Sequence, residues 1–228
     1  MKELLHTVRL QINPSVYIKN PESTELGKKI MTEGINLIDK IGYEDFTFRK
    51  LGQKIGSPEA SVYRYFQSKQ KFLLYLTSWY WAWMDYRLEF AIANINSPNQ
   101  KLERTINLLT ERVTEDSNFT FMNIVKLSRI VFTESSKSYL NKEVDEQNKQ
   151  GVYLGYKQLV GKASGIIMEV SPKYKYPNML ISTVIEGAHL QHFFAEHLPK
   201  LTNKTNGNDD VKKFYHELVL KTITANKK

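Results

Sequence analysis

Residues 41–73 carry closely spaced signals for helix starts and stops, and these signals restrict the fold of this part of the chain. Thr47 has the side chain of a helix N-cap, and Gly56 suits the position just after the same helix. Ser57 then predicts the cap of a second short helix, with Pro58 in its first turn, where the missing N–H group costs nothing. The sequence therefore predicts a helix, a tight turn and a second helix.

The apolar positions of these two helices predict which side chains are buried. The first helix, Phe48–Ile55, has apolar residues on one face, and Gly52 allows the second helix to approach closely. The second helix should bury Val62 and Phe66. Its other side chains should be largely free, namely Glu59, Ser61, Arg64 and Tyr65, with Tyr63 near the edge. A short helix with an exposed polar face, crossed by a supporting helix, has the shape that enters the major groove of DNA.

The positive charge of the chain is concentrated in the same segment. The 228 residues carry a formal net charge of +8, with an isoelectric point near 9.4. Residues 47–72 contain six basic side chains and one acidic side chain, a net charge of +5, which leaves +3 for the rest. This concentration is what an electrostatic footprint on DNA requires. Without the helix signals, a solvated basic surface would be the favoured interpretation.

Helical spacing continues through most of the chain, so we predict an all-α fold. A helix should begin after Ser23 and end with Gly42 at its C′ position, and Gly34 inside it indicates a close packing contact. Ser68 should cap a long helix that continues to about Ala93. Further helices are expected at about 99–115, 120–136, 138–169, 177–198 and 210–225.

The N-terminal segment is expected to be an arm rather than a targeting signal. Residues 1–20 alternate weakly in polarity, with Val8, Leu10 and Ile12 on one side, which predicts an extended arm or short strand. This segment should pack on the body or be partly ordered. They lack an apolar core of signal-peptide length, and no stretch approaches the ~18 uncharged apolar residues of a membrane span. The chain has no cysteine, which fits a reducing cytoplasm. We expect a cytoplasmic protein that does not bind membranes.

Residues 25–75 resemble the N-terminal pattern of the TetR/AcrR family of bacterial transcription regulators. Order and spacing agree without a gap at Ile41-Gly42-Tyr43, Phe46-Thr47-Phe48, Leu51-Gly52, Ile55-Gly56-Ser57, Val62-Tyr63-Arg64-Tyr65-Phe66, Ser68-Lys69 and Phe72-Leu73. The sequence departs from the pattern at Gly52, where alanine is usual, at Tyr65, where histidine is usual, and at Pro58. None of these departures removes a required interaction.

The resemblance implies three parts of the chain. Residues 1–22 would be an N-terminal arm, and residues 23–70 a three-helix helix-turn-helix head with its motif at about 46–65. The long helix would join this head to residues 71–228, a C-terminal helical domain for effector binding and dimerisation. The implied function is sequence-specific DNA binding in transcription regulation, as a repressor that a small ligand releases from its operator. The alternative is a family member that regulates transcription without an effector.

The resemblance also implies roles for residues of the helix-turn-helix. Thr47 lies at a helix N-terminus, where its hydroxyl and backbone N–H can bind a phosphate. Further phosphate contacts are expected from Tyr63, Tyr65 and Lys69. Contacts to base edges are expected from Arg49, Glu59, Ala60, Ser61 and Arg64. Phe48 and Pro58 complete the candidate DNA-binding set. The alternative for each single residue is an ordinary surface side chain, and for Tyr63 it is partial burial.

The long helix is unusually aromatic between residues 79 and 90. The resemblance places this helix between the head and the larger domain, where its aromatic side chains could line an effector pocket. The candidates are Trp79, Tyr80, Trp83 and Tyr86. The effector would then be apolar or aromatic. The alternative, which the helical spacing favours, is core packing around a connecting helix.

The sequence contains no motif of catalysis or cofactor binding, and we expect neither an enzyme nor a cofactor. His189 and His192 lie three residues apart on a predicted helix, a spacing that can bind a metal. No third ligand cluster supports such a site, so we expect no metal. A helical enzyme or interaction module that does not bind DNA would need convergent polar residues outside residues 47–72, and none stands out.

The resemblance finally implies a homodimer that binds an inverted repeat in double-stranded DNA. The interface is expected on the last two long helices, near residues 177–198 and 211–224. Their apolar stripes contain Ile181, Val184, Ile185, Ala188, Phe214 and Leu218.

Overall fold

The computed structural model describes residues 10–115, 121–203 and 209–224. In these ranges all regular structure is helical, which confirms the predicted all-α fold. The α-helices are α1 (Glu25–Asp45), α2 (Phe48–Ile55), α3 (Glu59–Tyr63), α4 (Lys69–Ile92), α5 (Pro98–Thr110), α6 (Ile124–Thr133), α7 (Ser135–Tyr139), α8 (Val144–Lys149), α9 (Leu154–Val170), α10 (Pro177–His197) and α11 (Asp210–Thr224). None of these helices is long and apolar enough to cross a membrane.

The chain divides into two compact units. The first unit comprises the described parts of Met1–Trp83 and Val113–Gly155, and the second those of Met84–Arg112 and Tyr156–Lys228. The first unit therefore contains α1 to α3, the start of α4, and α6 to α8. The division into an arm, a head and an effector-binding domain stays a prediction.

The core of the first unit is built on α1 and the start of α4. A Cβ atom on Gly34 would lie 2.4 Å from Cζ of Phe72, so the close packing predicted at this glycine is confirmed. The ring of Phe72 is stacked on Phe46, with centroids 5.5 Å apart, and meets the ring of Phe66 edge-on at 5.0 Å. All three rings are fully buried. These contacts join α1, α4 and the segments on either side of α2 and α3.

Helix α1 ends later than predicted. Gly42 has φ +77° and ψ 160°, a combination that residues with a Cβ atom avoid, and the helix resumes after this kink up to Asp45. Gly42 therefore bends the chain where we expected it to end the helix. The other end of α1 is capped by Thr24, whose hydroxyl accepts from the N–H of Gly27.

The described part of the N-terminal arm is packed, but it is not a strand. Residues 10–13 have no regular structure, and two 3₁₀ turns follow at Pro14–Val16 and Pro21–Ser23. Val16 is fully buried, so the prediction that the arm packs on the body is confirmed for this part. Of the two predicted alternatives, the short strand is wrong for the described residues and the arm is not contradicted, while Val8 lies outside the described residues.

After α4, the bounds of the last two helices agree with those predicted from the sequence, and the bounds of the other helices differ. The helix predicted at 138–169 is divided into α8 and α9, because Gly151 has φ +80° between them. The helix predicted at 120–136 is divided into α6 and α7, and the one predicted at 99–115 already ends at Thr110. Helices α10 and α11 match the predicted bounds to within a residue. The break expected at residues 116–118 lies outside the described residues.

The apolar stripe that we predicted as an interface lies mostly inside the second unit. Helices α5, α10 and α11 pack against one another there. Four of the six predicted interface side chains are buried in these contacts, namely Ile181, Val184, Ile185 and Ala188. Phe214 is 56% exposed, and Leu218 is half-buried. The prediction was wrong for the four buried residues because α10 carries a second apolar stripe, and that stripe faces outwards.

Candidate nucleic-acid interface

Helix α2 has the capping that the sequence predicts at both ends. The hydroxyl of Thr47 accepts from the N–H of Lys50 at 3.2 Å, and Gly56 closes the helix in the left-handed conformation, with φ +69° and ψ 34°. A Cβ atom on Gly52 would lie 2.7 Å from the carbonyl oxygen of Ser57. Glycine at this position therefore lets the turn and the start of α3 cross α2 closely.

Helix α3 begins differently from the prediction. Its N-cap is Pro58, and no side chain caps it, so the cap predicted at Ser57 is wrong. The N–H of Ser57 donates instead to the carbonyl of Gly52 at 2.9 Å, because Ser57 belongs to the turn that follows α2. With only five residues and no side-chain cap, α3 depends on its neighbours for stability.

The predicted DNA-binding residues fall into three groups by exposure. The exposed ones are Thr47, Arg49, Pro58, Ala60, Tyr63 and Arg64. The half-buried ones are Glu59, Ser61 and Lys69. Phe48 and Tyr65 are buried. The exposed and half-buried residues of the first two groups lie at the N-terminus of α2, along α3 and at the start of α4.

Tyr63 lies near the edge, as the sequence predicts, whereas Tyr65 does not lie where it was expected. Tyr63 is 46% exposed, with its ring edge-on to Phe48 at 5.0 Å. Tyr65 is only 3% exposed, and its hydroxyl is 2.7 Å from the hydroxyl oxygen of Thr24. The prediction that Tyr65 is largely free is therefore wrong, and its hydroxyl has a partner within the protein.

Lys69 closes the end of α1. Its ammonium group donates to the carbonyls of Tyr43 and Glu44 at 3.2 and 3.0 Å, and it lies 4.7 Å from the centroid of the Tyr43 ring. Burial, with nearby Glu44 and Glu134, raises the pKa of the Tyr43 phenol, which therefore stays neutral. Two of the three N–H donors of Lys69 are thus used, and its phosphate contact stays a prediction.

Within the described part of the chain, the exposed arginines of this surface have no acidic partner that would compete with DNA. Among the described residues, neither Arg49 nor Arg64 forms an ion pair, whereas Lys54 lies 3.9 Å from a carboxylate oxygen of Glu33. Lys50 is also exposed beside Arg49, and it donates to the carbonyl of Asp45 at 2.8 Å. We did not name Lys50 as a site residue, although its place in the basic segment was a signal for it.

Residues 30–76 match the family model for bacterial regulatory proteins of the tetR family. This segment, 47 of the 228 residues, is similar to the TetR family. The matched residues extend from the middle of α1 to the start of α4, and they contain the whole surface formed by α2 and α3. The family match therefore falls on the same segment as the candidate DNA-binding residues.

Solved structures share this TetR-like fold at low sequence identity. A structure of the superantigen PfiT has a TM-score of 0.59 at 14% identity and covers 91% of this chain and 100% of its own. AibR, solved with isovaleryl coenzyme A and operator DNA, has a TM-score of 0.57 at 13% identity and covers 86% and 98%. A putative TetR-family regulator from Mesorhizobium loti has a TM-score of 0.46 at 13% identity and covers 87% and 94%. No curated protein sequence matches significantly.

The aromatic part of α4 contributes mainly to the core. Trp79, Tyr80 and Trp83 are almost fully buried. The indole N–H of Trp79 donates to Glu22 at 3.1 Å, and Tyr80 meets Phe132 edge-on. Tyr86 is half-buried. These contacts fit the core-packing alternative, and an effector contact at the four residues stays a prediction.

His189 and His192 on α10 each lie within hydrogen-bond distance of a backbone carbonyl. Nδ1 of His189 lies 2.7 Å from the carbonyl oxygen of Ile185, and Nε2 of His192 lies 2.8 Å from that of Thr110. Burial lowers the pKa of His189 to about 3, so its ring is neutral at neutral pH. Within residues 10–115, 121–203 and 209–224, no group of three or more His, Asp or Glu side chains is arranged to hold a metal.

Proposed function

We propose that this protein is a transcription regulator that binds a specific DNA sequence through α2 and α3. The observation that carries the proposal is the exposed face of α3, which is supported by a crossing α2 and lies within the segment that matches the TetR family. In this proposal α3 enters the major groove. The enzyme or interaction-module alternative has no comparable constellation of residues in its favour.

The two helices would have different tasks on DNA. At the N-terminus of α2, the hydroxyl of Thr47 and the backbone N–H of Phe48 would bind a phosphate, since both groups lie where the helix dipole favours an anion. The side chain of Phe48 is buried and takes no part. Arg49 and Arg64 are the proposed base-reading side chains because arginine can donate two hydrogen bonds to guanine.

Selection of bound duplexes from a random pool tests the proposal. The expected result is enrichment of one sequence with two half-sites in inverted order. The double variant Arg49→Ala/Arg64→Ala is the matched control, because both side chains are exposed and their removal should leave the fold intact. If the unchanged protein and the double variant enrich the same sequences, or none, the proposal is overturned.

Single substitutions should separate base reading from phosphate binding. Arg64→Ala is expected to cost about 1–3 kcal/mol on the selected sequence and to relax the preference at one base pair. Lys69→Ala should weaken binding to all sequences alike and lower the slope of log K against log salt by about 1. Both are measured by titration of labelled duplexes at several salt concentrations.

Lys173→Ala is the control for these substitutions, since Lys173 is exposed in the second unit and carries the same charge. It should change neither specificity nor the salt slope by a comparable amount. Equal effects of Arg64→Ala and Lys69→Ala across all sequences would contradict the division of roles.

We also propose that the protein is a homodimer, with the outward faces of α10 and α11 as the interface. Along α10 the exposed apolar side chains Met179, Leu190 and Phe193 recur at helical spacing on one face. Phe214 supplies an exposed aromatic ring on α11. A two-fold dimer of this kind would present two heads to an inverted repeat.

We further propose that a small apolar or aromatic ligand releases the protein from its operator. Support comes from the shared fold with AibR, whose structure contains both isovaleryl coenzyme A and operator DNA. Such a ligand must bind the DNA-free conformation better than the DNA-bound one. A thermal-shift screen that includes isovaleryl coenzyme A, followed by DNA titrations, tests this. If no stabilising compound changes DNA affinity, the regulator without an effector is favoured.

A further inference from the structure

The arm that precedes α1 makes three contacts with Tyr65, just after α3. The backbone N–H of Ile18 donates to the carbonyl of Tyr65 at 2.7 Å. The hydroxyls of Thr24 and Tyr65 lie 2.7 Å apart. The ammonium group of Lys19 lies 5.5 Å from the centroid of the Tyr65 ring. Tyr65 is thus held at its backbone, its ring and its hydroxyl by residues that lie before the segment matched by the TetR family.

The contact from Ile18 has a clear physical role for α3. The last carbonyls of a helix lack partners within the helix, and in a helix of five residues they are a large share of all its backbone groups. Helix α3 has no side-chain cap at its start. The carbonyl that accepts from Ile18 lies two residues beyond α3, in the turn whose N–H groups at Tyr65 and Phe66 donate to the carbonyl of Val62. The contact therefore holds the turn that closes a helix too short to be stable alone.

The arm is itself fastened to α4. One carboxylate oxygen of Glu22 accepts from the hydroxyl of Tyr75 at 3.0 Å and from the indole N–H of Trp79 at 3.1 Å. Burial beside Glu22 raises the pKa of the Tyr75 phenol, which therefore remains a donor at neutral pH. The ring of Tyr17 also meets the ring of Tyr75 edge-on at 5.8 Å.

Two further contacts fix the start of the arm. The ammonium group of Lys71 donates to the carbonyl of Ser15 at 3.0 Å, and the side-chain amide of Asn13 donates to the carbonyl of Gln150 at 2.7 Å. Val16, the residue after these two contacts, is fully buried. The arm is therefore anchored on α4 and on the turn after α8, while its middle contacts the end of α3.

We propose that residues 13–24 form a brace that positions α3 for DNA binding, with Ile18 and Thr24 as the positioning residues. The effect on DNA rests on the proposed function. The brace itself does not, because it acts in the free protein. Tyr65 is then the anchor of the brace, and its hydroxyl serves Thr24 rather than a phosphate.

Hydrogen exchange of the free protein tests the brace without DNA. Tyr65→Phe removes one hydroxyl and keeps the ring. The loss of a hydrogen bond of ordinary strength should raise amide exchange at residues 62–66 about fivefold. A chain that lacks residues 1–19 should show a larger increase there, and one that lacks residues 1–12 should behave as the full chain. Thr24→Ser, which keeps a hydroxyl, is the conservative control and should also leave exchange unchanged.

Operator titration provides the second measurement. Without residues 1–19, α3 is ordered in a smaller fraction of molecules, and we expect about tenfold weaker binding to the selected sequence. Binding to random DNA should change no more than it does in the chain that lacks residues 1–12. If the chain that lacks residues 1–19 fails to fold, hydrogen exchange of Tyr65→Phe and Thr24→Ser still tests the brace.

Two results would overturn the brace. One is unchanged exchange at residues 62–66 in both Tyr65→Phe and the chain without residues 1–19. The other is a Tyr65→Phe variant that lowers the salt slope of DNA binding while exchange in the free protein stays the same, since this would identify the hydroxyl as a phosphate contact. Failure to select any DNA sequence would refute the proposed function and leave the exchange result standing.

Discussion

Replacement of Phe72 by alanine is expected to destabilise the first unit by about 3–5 kcal/mol. The ring is fully buried, lies against the backbone of α1 at Gly34, and is stacked on Phe46. It also meets Phe48 and Phe66 edge-on. Its removal takes away the transfer free energy of an aromatic side chain and leaves a cavity between α1, α2 and α4, which cannot collapse without moving the helices.

The loss of stability in Phe72→Ala should also weaken DNA binding. Phe46 precedes α2, Phe48 lies in its first turn, and Phe66 follows α3, so one ring contacts both ends of the helix-turn-helix. A destabilisation of this size would unfold a large fraction of a marginally stable head. We expect specific DNA binding to fall in proportion to the folded fraction.

The change in the free energy of unfolding is measured by urea unfolding, which is followed by tryptophan fluorescence. Phe90→Ala is the matched control, because it is the same substitution on the same helix at a side chain that is 67% exposed. It should cost less than about 1 kcal/mol, mostly through the lost contact with Tyr86. Similar losses of unfolding free energy for Phe72→Ala and Phe90→Ala would show that burial of the Phe72 ring against α1 does not stabilise this unit.

The parts of the fold that the sequence predicted well are those fixed by local stereochemistry. A capping hydroxyl at Thr47, a left-handed residue at Gly56 and the close crossing at Gly52 each depend on the residue itself and a few neighbours. The family resemblance covered this segment for the same reason. Such signals identify the helix-turn-helix without knowledge of any distant contact.

The burial of Tyr65 could not be predicted from local sequence signals. We continued the helical spacing of α3 as far as Phe66, but the helix ends at Tyr63. Beyond that residue the chain turns, so helical spacing no longer assigns inner and outer faces. The partner that holds Tyr65 is Thr24, 41 residues earlier, and no local pattern identifies such a contact.

Helix α10 posed a related ambiguity. It carries apolar residues on two faces, and the sequence does not state which face meets its own chain. In the structure α5 and α11 cover the face with Ile181 and Val184. The face with Leu190 and Phe193 remains exposed in the single chain. The proposed interface therefore lies on the outward face of α10, where substitutions can test it without damage to the core.

The double variant Phe193→Glu/Phe214→Glu is expected to convert the proposed homodimer into a monomer. Both side chains are exposed in the single chain, so two carboxylates there should leave its fold stable. In a two-fold dimer the same substitutions bury several like charges without partners, which is strongly unfavourable. Sedimentation at micromolar concentration measures the change, and Leu140→Glu, on an exposed side chain of the first unit, is the control.

The consequence for DNA binding should exceed that of any single contact. In a dimer the second head binds its half-site as an intramolecular event, at an effective concentration in the millimolar range, so its loss should weaken operator binding about a hundredfold to ten-thousandfold. Binding to an isolated half-site should be unaffected, because each head keeps its own contacts. This pair of titrations separates loss of dimerisation from damage to the head: weakening on both targets would indicate damage, and weakening on neither would contradict the proposed interface.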